Sequence, residues 1–203
     1  MMTVELFVSG TMAAADRQAL AERLLRKLTT APDAPESVLA KARELTHVLV
    51  HAPGTWVTGG PDPAAAPRYL VRLTVPGSWS NNSDFGGHVI PLITETIAET
   101  ETDSGRLTRD PHCVVQIVGL REHGIGLLGR TTTSSELTKL MTEEFRSSGE
   151  IPQAPEGFVI DPICGMTVEL ATTQLTLTHE GTTYGFCAPV CRKVFAEEHA
   201  ISA

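Results

Sequence analysis

One pattern occurs twice in the first 130 residues, and it limits the fold more than any single residue does. A strand-like run, Val4–Val8, ends at Ser9-Gly10, and a helical stretch follows with Leu20, Leu24 and Leu28 one turn apart on a single face. Thr46–His51, mostly β-branched or apolar, supplies a second strand, and Gly54-Thr55-Trp56-Val57-Thr58-Gly59-Gly60 reads as a glycine-rich hairpin. The same order then returns. Tyr69–Val75 ends at Pro76-Gly77, Val89, Ile93 and Ile97 keep helical spacing, and Cys113–Val118 leads into His123-Gly124-Ile125-Gly126-Leu127-Leu128-Gly129-Arg130. The two passes are offset by about 65 residues, and duplication of a βαβ unit accounts for them most economically.

The repeats span about residues 1–60 and 67–130, divided by the Pro-rich stretch Gly59–Pro67. A closing helix is predicted from Thr133-Ser134-Ser135-Glu136, which fits a capping box, followed by Leu137, Leu140, Met141 and Phe145 on one stripe. That completes a domain over 1–145. Residues 146–157 carry two glycines, two prolines and no apolar period, and read as a linker to a small domain over 158–203. The expected class is α+β: a tandem βαβ domain, then a small β-hairpin–helix domain.

A chain of 203 residues with 41% hydrophobic and 20% charged content has material for a core without staples. The net charge of −8 argues against a nucleic-acid partner, because neutralising phosphates takes clustered Lys and Arg. No apolar run approaches the roughly 18 residues of a membrane span, and no secretory signal opens the chain. A cytoplasmic protein is expected.

In such a compartment unevenly clustered cysteines read as metal ligands or reactive groups rather than disulfides. Of Cys113, Cys164, Cys187 and Cys191, the last three lie within 28 residues. Gln174–Thr178 and Thr182–Phe186 alternate about His179-Glu180-Gly181, a hairpin, so Cys187 ends a strand and Cys191 sits one turn into a following helix. Spacing of i and i+4 at a helix start places both sulfurs on one side, where the helix dipole favours thiolate. Cys164, in the turn of Pro162 and Gly165, approaches from the other side. Three thiolates suit one soft ion per chain. Trigonal sulfur favours Cu(I), and a fourth ligand from His179, Asp161 or water favours Zn(II). Cys113, on an apolar strand, reads as core, as do Tyr184, Phe186 and Phe195.

The segment Asp161-Pro162-Ile163-Cys164-Gly165-Met166, with Tyr184-Gly185-Phe186-Cys187 and Cys191-Arg192-Lys193-Val194-Phe195, resembles the YHS domain, a relative of TRASH-type metal-binding modules. The likeness covers Asp161–Glu198. It implies metal handling or sensing, with a metal-transport or metal-donor protein as partner. Residues 1–130 resemble the tautomerase superfamily of 4-oxalocrotonate tautomerase and macrophage migration inhibitory factor, through the strand ended by Gly10, the amphipathic helix and Gly-x-Trp-Val-x-Gly-Gly. That likeness implies a homotrimer of two-βαβ subunits around a threefold axis. The family's base is an N-terminal proline, whose place falls on Met1 here, and no arginine stands where its catalytic arginines would. The alternative to metal binding is therefore an isomerase or lyase using another base, with the cysteine module as an accessory or cofactor site.

Overall fold

The structure, a computed structural model, describes residues 1–59, 66–149 and 152–201. The interior of the Pro-rich stretch, residues 60–65, and residues 150–151 of the predicted linker lie outside the described residues. In chain order the elements are β1 (Met2–Val8), α1 (Ala14–Leu28), α2 (Glu36–Glu44), β2 (Thr46–His51), β3 (Tyr69–Pro76), α3 (Gly77–Ser80), α4 (Ser83–Ala98), α5 (Arg106–Arg109) and β4 (Cys113–Leu120). There follow β5 (Ile125–Leu127), β6 (Arg130–Thr132), α6 (Ser134–Ser148), β7 (Phe158–Ile160), β8 (Thr167–Glu169), β9 (Thr176–His179), β10 (Thr182–Gly185) and α7 (Pro189–Glu198). The class is α+β, as expected. Among the described residues no helix is long and apolar enough to cross a membrane.

The chain divides into two compact units, residues 1–29 with 45–120 and residues 30–44 with 121–203. The first contains one sheet of order β2-β1-β3-β4. β1 is parallel to β2 and β3 to β4, while β1 and β3 pair antiparallel at the centre. Each parallel pair is bridged by a helix-containing crossover, as parallel strands require, so the duplicated pattern is two βαβ halves sharing one sheet.

Alternation decides which face of that sheet is covered. Along β1, Met2, Val4, Leu6 and Val8 are buried and the residues between are half-buried. Val71, Leu73 and Val75 of β3 continue the buried face, against which Leu20 and Leu24 of α1 and Val89, Ile93 and Ile97 of α4 pack. The helical spacings read from the sequence are the ones that meet the sheet. In-register neighbours share a face, so Phe7 with Leu70 and Val114, Glu5 with Leu49 and Arg72, and Thr3 with Thr74 and Val118 form the opposite one.

One element of the repeat differs. Among the described residues, only the second glycine-rich segment forms a hairpin, β5 with β6. It turns at Leu128-Gly129, both at positive φ, and is anchored by buried Ile125 and Thr132. Residues 52–59 form no strand, and Val57 is 89% exposed. With no apolar side chain buried, nothing offsets the entropy of ordering strands there.

In the second unit α6 begins with the predicted capping box. Thr133 Oγ1 accepts from Glu136 N at 3.2 Å and Glu136 Oε2 accepts from Thr133 N at 2.8 Å. The helix ends at Gly149 in the left-handed conformation, and packs against α2 and α7. Lys139 Nζ reaches Glu197 at 2.9 Å and Arg146 Nη1 reaches Glu198 at 2.6 Å on α7. Two small hairpins, β7 with β8 and β9 with β10, complete this unit.

Candidate metal centre

Three short segments bring the cysteines together. Asp161 follows β7 and is completely buried. Its N–H donates to Met166 O at 2.9 Å and its carbonyl accepts from Gly165 N at 2.8 Å, closing residues 161–166 into a loop that carries Cys164. Gly165 sits at φ +77°. The second segment is the β9–β10 hairpin, with Thr182 opposite His179 and both turn residues, Glu180 and Gly181, at positive φ as a tight two-residue turn requires. Phe186 N donates to Leu175 O at 2.8 Å just past the strand, so Cys187 leaves the hairpin in a defined direction. The third is the start of α7, where Pro189 occupies the first turn and Cys191 N donates to Ala188 O at 3.1 Å.

The sulfurs converge. Cys164 Sγ lies 3.3 Å from Cys187 Sγ, and Cys187 Sγ lies 3.9 Å from Cys191 Sγ. With a carboxylate oxygen of Asp161 they form a group whose ligand atoms all lie within 4.8 Å of one another. Cys164 and Cys191 are buried and Cys187 is half-buried. Soft sulfur donors at this separation, largely out of water, form a donor set suited to a soft cation.

Protonation is shared unequally across the cluster. Hydrogen bonding with Cys187 first and then Cys191 lowers the Cys164 thiol well below its ordinary range. The same bonds to Cys164 hold Cys187 and Cys191 up, with burial adding to the effect. Burial raises Asp161 to about 7, the charge at Cys164 adds to the rise, and N–H bonds from Cys187 and Ile163 oppose it. A metal ion would displace the shared protons, as thiolate coordination requires.

His179, the histidine expected as a possible fourth ligand, has other neighbours. Its ring meets Phe195 edge-on at 6.2 Å between centroids and lies 4.9 Å from the ring of His199, while Asp161 joins the sulfurs in the cluster of four. Met166 packs, half-buried, on the module's core. Tyr184 and Phe186 pack on Phe195 at 4.7 and 5.4 Å, the core role read for them. Cys113 belongs to the sheet–helix core of the first unit, where burial raises its thiol. Sequence reasoning missed the setting of Gly165, which lies against Phe145 and Pro35. It also missed that one carboxylate ties two cysteine segments together. Neither contact leaves a local pattern.

The chain matches no protein-family model and no curated protein. Solved structures do align with it. Pt0534, in a crystal structure of the protein inactivated by 2-oxo-3-pentynoate, is 16% identical, with 64% of this chain and 95% of that one covered and a TM-score of 0.48. The R7 fused 4-OT wild-type asymmetric trimer is 22% identical over 64% of this chain and 94% of that one, with a TM-score of 0.47. A macrophage migration inhibitory factor homologue from Prochlorococcus marinus is 15% identical over 64% and 97%, with a TM-score of 0.46.

Proposed function

We propose that the chain binds one soft metal ion, Cu(I) or Zn(II), through Cys164, Cys187 and Cys191, and that it handles or senses this ion. The supporting observation is the convergence of three sulfurs and one carboxylate within 4.8 Å in a largely buried cluster. We read residues 161–198 as a YHS-type module in which the ion is held by thiolates and passed to, or received from, a metal-transport or metal-donor protein. Elemental analysis of the full chain purified without added metal should find about one copper or zinc per chain. Cys187→Ser and Cys191→Ser should each abolish it; unchanged metal content in both variants removes the proposed site.

The same reading has the N-terminal region build a homotrimer. The sheet face away from α1 and α4 leaves Leu49, Val114 and Val118 at 45%, 48% and 38% exposure, and apolar surface of this kind is buried at subunit contacts. Light scattering of the full chain should give three times the chain mass, falling toward one on the pair Leu49→Glu and Val118→Glu. A monomeric wild type at micromolar concentration refutes the assembly and leaves the metal site untouched.

A further inference from the structure

The four-atom cluster poses a question that composition does not answer: whether Asp161 is a ligand or holds the ligands in place. We infer that Asp161 is a positioning residue, whose carboxylate fastens the Cys164 loop to the Cys187 strand end and leaves coordination to the three sulfurs. The inference rests on the metal-binding reading above.

The hydrogen bonds of the carboxylate separate the two roles. Asp161 Oδ1 accepts from Ile163 N at 2.8 Å and, more weakly, from Cys164 N at 3.4 Å. Oδ2 accepts from Cys187 N at 2.9 Å. Both oxygens are therefore engaged by backbone donors, two of which belong to the cysteines themselves. The side chain is fully buried, so these N–H groups are its partners in place of water. Its main chain is committed as well, through Met166 O and Gly165 N. Cys164 and Cys187 come from segments 23 residues apart in different hairpins, and this one carboxylate receives both of their N–H groups. A metal drawn onto either oxygen would compete with these N–H donors for its electron density. Supporting groups of this kind orient ligands in metal sites, and their loss typically costs about 10–100-fold in affinity.

Substitution tells a ligand from a support. Asp161→Asn keeps an oxygen for Ile163 and turns an amide donor toward Cys187 N, or the reverse, so one of the two fastenings is lost at nearly constant volume. In the full chain, X-ray absorption of the Cu(I)-loaded and Zn(II)-loaded wild type should show three sulfur scatterers. The sulfur count should persist in Asp161→Asn, with the metal–sulfur shell broadened and affinity for the same ions lower by about 10–100-fold. Far-UV circular dichroism of the metal-free protein should be unchanged. An oxygen scatterer that persists in Asp161→Ala, which leaves no side-chain oxygen at 161, comes from another donor and agrees with the inference. An oxygen scatterer present in the wild type and lost in Asp161→Ala overturns it, as does wild-type affinity in Asp161→Asn. Absence of metal from the wild type would instead defeat the metal-binding reading itself.

Discussion

The sheet–helix core of the first unit and the core of the cysteine module are built on different terms. The first consists of fifteen buried residues, from Met2 to Leu107, all apolar apart from the Tyr69 hydroxyl, and takes whole faces of two helices and alternate residues of the central strands. The second consists of Ile163, Cys164, Phe186, Val190, Cys191, Val194 and Phe195. Two of those seven are would-be metal ligands. In the first region apolar burial, at about 25 cal/mol per Å2, is sufficient in kind to stabilise the fold. In the second, the side chains that fill the core are the ones that would hold the ion, so folding and binding draw on the same atoms. A metal ion should therefore matter greatly to one region and hardly at all to the other.

The largest expected effect tests that contrast directly. Metal at about a thousandfold over its Kd adds roughly 4 kcal/mol to whatever unfolds on losing it. Hydrogen exchange of the full chain should show residues 161–198 losing protection on chelation, while the amides of β1 and β3 stay protected. Cys191→Ser should reproduce the chelated pattern without chelator. Equal loss of protection in both regions, or none in either, breaks the comparison.

A cavity in the first core should do the converse. Leu24 is completely buried between α1 and the sheet, and Leu24→Ala should cost about 2–5 kcal/mol in chemical denaturation. Metal content per folded chain should stay at the wild-type value. A variant that lost metal while its first unit remained folded would show that the two cores do not divide the labour in this way.

What could be read in advance follows the range of the interactions. Val89, Ile93 and Ile97 announced α4 because a repeated apolar period is local, and Thr133 with Glu136 announced the start of α6 because a capping box is local too. The cysteines were legible because three of them crowd into 28 residues and a tight turn folds the chain between them. Helix α2 was not. Val38 is its single buried residue, so no stripe marks it, and its partner α6 lies far along the chain. The first glycine-rich segment carries turn residues but no side chain that buries, so it looked like its counterpart and did not pair like it. The bond from Cys187 N to Asp161 was beyond any pattern, since every residue but proline offers the same backbone donor.

The smallest effect concerns how the Cys164 loop is seated, and two glycines of similar conformation isolate it. Gly165 and Gly181 have φ of +77° and +80°, so alanine at either should cost roughly 1–2 kcal/mol in backbone conformation alone. Around Gly181 an added Cβ meets nothing within 4 Å. At Gly165 it would lie 2.8 Å from ring atoms of Phe145 and closer still to Pro35 Cγ. Neither neighbour yields cheaply, one being a 6% exposed aromatic on α6 and the other a ring in the chain leading into α2. Gly165→Ala should therefore cost about 1–3 kcal/mol more than Gly181→Ala, the usual range for overpacking, when the second unit's unfolding is followed in denaturant. Because Gly165 is next to Cys164, the displaced loop should also weaken metal binding, whereas Gly181→Ala, at the exposed hairpin tip, should leave affinity unchanged. Equal stability and equal metal affinity in the two variants would mean that the loop moves off Phe145 without strain, and that the second core places its sulfurs without help from α6.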